Sequence, residues 1–202
     1  MKIHNVFGVK VYDYEGNGRP LIFIHSFPLS SAMWDEQVKY FNNSFRVITY
    51  DIRGLGFSIV EDNVFTMEKL VNDFFHIINK LRLQKVNACG LSMGGYIILR
   101  AIQKDKERFE SAILINTSAQ KDNDNTILQR SNTIIKIKSG GRKEYINKLI
   151  PKLFGSVSEN NSLILHNKIN NSKLIEIKNA GHLCNIECID EFNKALSDFL
   201  LY

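Results

Sequence analysis

The chain has 202 residues with 26 basic and 21 acidic side chains, so its formal charge is +5 at neutral pH. Apolar residues make up 44% and charged residues 23%, which excludes a disordered or fibrous chain and fits one globular domain. The longest apolar runs, such as Leu21 to Ile24, are far too short for a transmembrane helix, so no membrane association is predicted.

Three cysteines, Cys89, Cys184 and Cys188, are too few and odd in number for a disulfide framework, and no secretory signal follows Met1. We therefore predict a cytoplasmic protein. The basic residues are scattered rather than gathered on one aromatic-rich face, so nucleic acid is not expected as a partner. No phosphate-binding or dinucleotide motif is present, and no cofactor is predicted.

Strands and helices alternate along most of the chain. Two strands are predicted between Val6 and Tyr14, before the turn Glu15-Gly16-Asn17-Gly18. Short apolar runs without alternation predict strands buried on both faces, at Leu21–Ile24, Phe45–Tyr50, Val86–Leu91 and Ala112–Ile115, and Lys173–Ile177 is predicted as a fifth short strand. Helices are predicted at Ala32–Phe41, Met67–Leu81, Met93–Lys104 and Ile186–Leu200. This order predicts an α/β fold, a mostly parallel sheet with helices on both faces.

The stretch at about 120–155 interrupts the alternation. It holds two amphipathic segments, Thr126–Ile137 and Lys143–Leu153, separated by Ser139-Gly140-Gly141. We interpret it as a shortened helical cap inserted into a single domain that spans residues 1–202, because no linker or repeat marks a second domain.

The motif Gly90-Leu91-Ser92-Met93-Gly94-Gly95 lies between a predicted strand and a predicted helix. This is the context of a G-x-S-x-G nucleophile elbow, in which a sharp turn exposes the serine Oγ at the carboxyl edge of the sheet and glycines leave room for it. The N–H of Met93, at the start of the helix, would face a developing oxyanion. The motif therefore predicts that Ser92 is a nucleophile for acyl transfer.

Two loops beyond strand ends supply complementary groups. His25-Ser26-Phe27-Pro28 follows the Leu21–Ile24 strand, and the backbone N–H of Phe27 is placed to be the second oxyanion donor. His182 follows the Lys173–Ile177 strand, from where it can reach a serine on a neighbouring strand and act as general base.

His182, Cys184 and Cys188 also form a competing pattern, that of a metal site. A fourth ligand is not evident and the spacing matches no common zinc pattern, so no metal is predicted. We expect the thiols to be small buried side chains.

In its motifs and their order the chain resembles α/β-hydrolases of the small esterase and enol-lactonase-like group. The matching segments are the loop His25–Ser30 before Trp34, the segment Asp51–Ser58, the Ser92 motif and Asn179-Ala180-Gly181-His182. The resemblance implies Ser92 as nucleophile, His182 as base, and Phe27 and Met93 as oxyanion donors. It implies a structural role for Asp51 and Arg53, and hydrolysis of a small carboxylic ester or lactone without a cofactor. Monomer and homodimer both remain open.

Two departures from that family pattern matter. Ser26 stands where the family has glycine, and its Cβ would crowd the oxyanion loop if the backbone needed a positive φ. The strand that carries the triad acid is missing, because Phe154–Glu159 runs directly into Asn160–Ile169, which resembles a later helix. Either Leu163–His166 replaces the strand or the exposed edge pairs with a second copy, and the sequence leaves both open.

Four residues are candidates for an acid partner of His182: Asn116, Asp122, Asp124 and Glu159. Asn116 can orient an imidazole but not neutralise it, and Asp122 and Asp124 require their loop to fold inward. We expect all four to be ordinary turn or surface residues. The protein is then a serine hydrolase or, alternatively, a catalytically impaired hydrolase-fold protein that binds a small ligand or is a degenerate deletion product.

Overall fold

The computed structural model describes residues 1–59, 65–154 and 161–201. Within these ranges the sheet has six strands in the order β1-β2-β4-β3-β5-β6. The strands are β1 (Lys2–Val6), β2 (Val9–Asp13), β3 (Pro20–Ile24), β4 (Arg46–Tyr50), β5 (Val86–Leu91) and β6 (Phe109–Ile115). The β1–β2 and β2–β4 pairs are antiparallel, and the β3–β4, β3–β5 and β5–β6 pairs are parallel. The predicted mostly parallel sheet is confirmed.

The described part of the chain contains eight α-helices, which follow the strands or extend the chain beyond them. They are α1 (Asp35–Phe41), α2 (Met67–Lys80), α3 (Met93–Lys104), α4 (Asp124–Lys136), α5 (Arg142–Leu153), α6 (Asn161–Lys168), α7 (Cys184–Glu187) and α8 (Ile189–Leu200). A short helical turn, Ser31–Trp34, precedes α1, and a π-helical turn, Ile137–Gly141, joins α4 to α5.

The sheet separates two hydrophobic cores. Alternate residues of β3 face opposite sides: Ile22 and Ile24 belong to the core under α2 and α3, whereas Leu21 and Phe23 belong to the core under α1 and α8. All four side chains are fully buried, and each such burial contributes about 1.5–3 kcal/mol. The unalternating apolar runs of the sequence are therefore explained by helices on both faces.

A buried polar network holds the C-terminal helices on one face. The Gln37 amide donates hydrogen bonds to the carbonyl of Asn185 (3.0 Å) and to Oδ1 of Asn193 (2.9 Å). The Asn185 amide in turn donates to the carbonyl of Met33 at 2.9 Å. These contacts join α1, α7 and α8 to the turn that follows β3, so the segment after residue 182 is fixed without a strand.

Two predicted strands, and one alternative that the sequence left open, differ from the structure. Lys173–Ile177 is irregular rather than a strand, and Leu174 and Ile175 are each 43% exposed. Within the described residues β6 is an outer strand of the sheet, and this segment does not pair with it. Leu163–His166, considered as a replacement strand, lies in α6.

The third difference concerns the first strand, which begins at Lys2 rather than Val6. The hairpin of β1 and β2 turns at Phe7 and Gly8, whose φ values of 51° and 86° are those a two-residue hairpin turn requires. The C-terminal helix is also interrupted, at Cys188, between α7 and α8.

The two helices predicted in the interruption at 120–155 are formed as α4 and α5. Gly140, at φ 93°, kinks the chain between them. α4 buries none of its residues, whereas α5 buries Leu153, whose carbonyl accepts a hydrogen bond from the N–H of Leu183 at 3.3 Å. The pair thus touches the core mainly through the end of α5. Among the described residues, no helix is long and apolar enough to cross a bilayer.

Candidate active site

Ser92 is a single-residue junction between β5 and α3. Its backbone has φ 53° and ψ −109°, a conformation that residues with a Cβ rarely adopt. The turn is crowded on both sides, because a Cβ on Gly94 would lie 2.3 Å from the carbonyl oxygen of Ile24 and one on Gly90 would lie 2.5 Å from the carbonyl carbon of Gly94. The glycine spacing of the motif is therefore required by packing.

The end of β6 holds this junction in place. The N–H of Ser92 donates to the carbonyl of Ile115 at 2.9 Å, and the Thr117 hydroxyl donates to the carbonyl of Ser92 at 2.8 Å. Gly95 packs directly on the same threonine, since a Cβ there would lie 2.5 Å from Thr117 Oγ1. Both backbone polar groups of Ser92 are thus bonded to residues at the carboxyl end of the neighbouring strand.

Asn116 brings the His182 loop to the same place. Its amide nitrogen donates to the carbonyls of Gly181 (3.2 Å) and His182 (2.9 Å). Since Asn116 lies between Ile115 and Thr117, the two loops meet at the end of β6. The structure therefore places half-buried Ser92 and half-buried His182 at one edge of the sheet.

The loop after β3 is fixed by His25, a buried residue for which sequence reasoning assigned no role. Nε2 of His25 accepts from the N–H of Ile52 at 2.8 Å, so we assign the proton to Nδ1, which donates to the carbonyl of Ser26 at 2.9 Å. Burial lowers the pKa of His25, which keeps the ring neutral. The N–H of Leu29 donates to the same Ser26 carbonyl at 2.9 Å and closes the turn around Phe27.

The two candidate oxyanion donors lie at the ends of adjacent strands. Ile24 and Gly90 are paired in β3 and β5, and Phe27 and Met93 each follow three residues later. Met93 is the first residue of α3, so its N–H has no acceptor within the helix. Ser26 is fully buried without a positive φ, so the expected crowding from its Cβ does not arise.

Asp51 and Arg53 have the structural contacts expected of them. The Asp51 carboxylate accepts from the N–H groups of Ser31 and Phe57, both at 2.8 Å. Arg53 makes two hydrogen bonds of 2.6 Å to Asp73, whose side chain is 4% exposed. These bonds brace the segments on either side of β4.

The candidate acid partners of His182 that the structure describes have the surroundings of ordinary loop or surface residues. Asp122 forms an ion pair with Arg130, 2.7 Å between Oδ2 and Nε, and Asp124 is exposed in the first turn of α4. Asn116 directs its amide to backbone carbonyls, so it acts on the loop rather than on the imidazole ring. Glu159 lies outside the described residues.

The thiols of Cys184 and Cys188, which belong to the competing metal pattern, contact different groups. Cys184 is buried with Sγ 3.8 Å from the Asn116 amide, whereas Sγ of Cys188 is 3.8 Å from the carbonyl of Lys178. Burial raises the pKa of Cys184 to about 12 and raises that of Cys89 as well. Among the described residues, no three His, Cys, Asp or Glu side chains are grouped to hold a metal ion.

A groove of about 530 Å³ lies at the opposite, amino-terminal ends of the strands. Arg82, Lys85, Glu107 and Glu110 are among its lining residues. It is remote from Ser92 and carries charges of both signs, so we assign no part of the candidate chemistry to it.

Comparison with known proteins now decides the family. The sequence profile described as "alpha/beta hydrolase fold" matches residues 19–161, well over half of the chain. The chain belongs to the α/β-hydrolase family. Its fold class and the resemblance drawn from the motifs are thereby confirmed.

The curated relatives of this α/β-hydrolase match about half of it, over only part of their own length. A 3-oxoadipate enol-lactonase of Acinetobacter baylyi is 35% identical over 104 residues, 52% of this chain and 39% of that protein. A non-heme haloperoxidase of Rhodococcus erythropolis is 34% identical over 102 residues, 50% of this chain and 37% of that protein. The match thus spans about two fifths of the length of these relatives.

Solved structures share the fold over nearly all of this α/β-hydrolase. A thermophilic esterase from Thermogutta terrifontis has a TM-score of 0.87 at 22% identity, covering 99% of this chain and 98% of that one. The enol-lactonase from Burkholderia xenovorans also has a TM-score of 0.87, at 21% identity, with 100% of both chains covered. At such identities the likeness establishes the architecture alone.

Proposed function

We propose that the protein hydrolyses a small carboxylic ester or lactone, with Ser92 as nucleophile and His182 as general base. Ser92 Oγ attacks the substrate carbonyl while His182 takes the hydroxyl proton, and the N–H groups of Phe27 and Met93 stabilise the oxyanion. His182 then gives the proton to the leaving oxygen. Water attacks the acyl-enzyme, which releases the acid and restores Ser92.

One observation carries the proposal: the backbone of Ser92 at φ 53° and ψ −109°, bonded at both its polar groups to the end of β6. Such strain persists only where surrounding contacts enforce it, and it is concentrated at functional sites. The His182 loop is attached to the same strand end through Asn116. The enol-lactonase named among the curated relatives supports an ester or lactone as substrate class.

We further propose a cytoplasmic location, because all three cysteines are free thiols and two of them are buried.

The strength of the catalysis depends on the partner of the imidazole. In a serine protease triad, exchange of the acid for its amide lowers turnover by about 10⁴ and leaves activity from the oxyanion donors and binding. Asp122 is engaged by Arg130, and Asn116 carries no charge. Neither residue therefore neutralises the imidazolium of His182, and the competing function is binding of a small ligand without turnover.

Covalent labelling separates these two functions. An alkyl fluorophosphonate should add one phosphonyl group to the peptide that contains Ser92, as read by mass spectrometry, and Ser92→Ala should remain unlabelled. Ser118→Ala is the matched control, because Ser118 is half-buried like Ser92, and it should label like the wild type. An unlabelled wild-type protein that is stabilised thermally by small esters, equally in Ser92→Ala, would instead establish ligand binding without catalysis.

A further inference from the structure

The loop that carries His182 is held by two side chains. Asn116 donates to the carbonyls of Gly181 and His182, at 3.2 and 2.9 Å. On the other side, one carboxylate oxygen of Glu187 accepts from the N–H groups of Gly181 (3.1 Å) and Leu183 (3.2 Å). Four backbone groups in three consecutive residues are therefore bonded to an amide and a carboxylate.

This arrangement occurs where a strand was expected to fix the loop. Residues 173–177 are irregular and contribute no pairing to the sheet, so no ladder of hydrogen bonds leads up to His182. The loop is anchored instead from β6, through Asn116, and from the last residue of α7, which is Glu187. Gly181 is bonded from both directions and is buried.

We infer that Asn116 and Glu187 are positioning residues that clamp the His182 loop and fix the imidazole relative to Ser92. The inference rests on the proposed function. A base displaced by about 1 Å from its working geometry loses on the order of 100-fold in rate, so the clamp controls turnover although neither residue touches the substrate.

Asn116→Asp is the sharpest variant for the amide half of the clamp. Asparagine and aspartate both tolerate the positive φ of 43° found here, so the exchange preserves shape and backbone. It replaces two N–H donors by a carboxylate that faces two carbonyl oxygens. Asn171→Asp is the matched control, because Asn171 is exposed and has a φ of 59°.

The clamp predicts a specific kinetic pattern with a p-nitrophenyl ester. Asn116→Asp should lose about 100-fold in kcat with KM changed by less than about two-fold, and added imidazole should restore part of the rate by replacing the misplaced base. Asn171→Asp should match the wild type with or without imidazole. A loss that imidazole does not restore, or a rate equal to the wild type, would overturn the inference.

Turnover and amide exchange in two variants of Glu187 test the carboxylate half of the clamp. Glu187→Gln keeps an oxygen acceptor for both N–H groups and should retain kcat within about three-fold, whereas Glu187→Leu should fall about 100-fold. Hydrogen–deuterium exchange at the amide of Gly181 should be faster in Glu187→Leu than in the wild type and nearly unchanged in Glu187→Gln. Exchange that is equal in all three proteins would show that no clamp exists.

Ser92→Ala separates this inference from the function on which it rests. A wild-type rate above that of Ser92→Ala, together with an unimpaired Asn116→Asp, removes the clamp and leaves the hydrolase. A wild-type rate no higher than that of Ser92→Ala removes both, whatever the amide exchange shows.

Discussion

Ser92→Gly is expected to stabilise the protein while it abolishes turnover. At φ 53° and ψ −109° a residue with a Cβ is strained by about 1–3 kcal/mol, and glycine is not. Against this gain, the more flexible unfolded chain of a glycine variant costs about 0.5–1 kcal/mol. The Ser92 side chain makes no capping hydrogen bond to α3, so little else is lost.

At the middle of both ranges the net gain is about 1 kcal/mol, which corresponds to a rise in Tm of about 2–4 °C for a chain of this size. Thermal unfolding followed by circular dichroism measures it. Ser92→Ala keeps the Cβ and should melt below Ser92→Gly. Ser30→Gly is the control, because Ser30 is extended at φ −136° and should only lose stability. A Ser92→Gly variant that melts no higher than Ser92→Ala would refute the assignment of strain to this junction.

Three further predictions concern the supports of the site. Burial lowers the pKa of His25 below the value of a histidine in the unfolded chain, which is about 6.5. The neutral His25 ring therefore contributes its full stability above about pH 6.5, and this contribution is lost as the pH falls below that value. The fall of Tm between pH 7 and 5 should accordingly be smaller in His25→Asn than in the wild type. Arg53→Met leaves Asp73 buried without this partner and should cost about 3–5 kcal/mol in urea unfolding, and adding Asp73→Leu should recover part of the loss. Gln37→Leu removes the donor from Asn193 Oδ1 and should cost about 1–3 kcal/mol by the same method, whereas an unchanged unfolding midpoint would contradict the role of the network.

Local patterns were sufficient to predict the central sheet. β3, β4 and β5 are buried on both faces, so their sequences are mostly apolar without alternation, and the helices between them show helical periodicity. Lys173–Ile177 has a similar local pattern but no neighbouring strand. Strand formation depends on a partner elsewhere in the chain, and a five-residue pattern does not contain that information.

The part of the site that is formed by residues adjacent in sequence was predictable. Ser92 and its glycines are adjacent in sequence, and the turn between a strand and a helix follows from the flanking patterns. The contacts of Thr117 and Glu187 were missed, because a hydroxyl 25 residues from Ser92 and a carboxylate in a short helix have no distinguishing spacing. Asn116 was considered as a substitute acid, whereas its amide holds the loop backbone.

Turnover of a short-chain p-nitrophenyl ester by the wild type, Ser92→Ala and His182→Ala tests the central claim most directly. The account predicts a rate for the wild type that is lost in both variants, while all three proteins give the same circular dichroism spectrum. A wild-type rate equal to that of the two folded variants would contradict a working pair of Ser92 and His182.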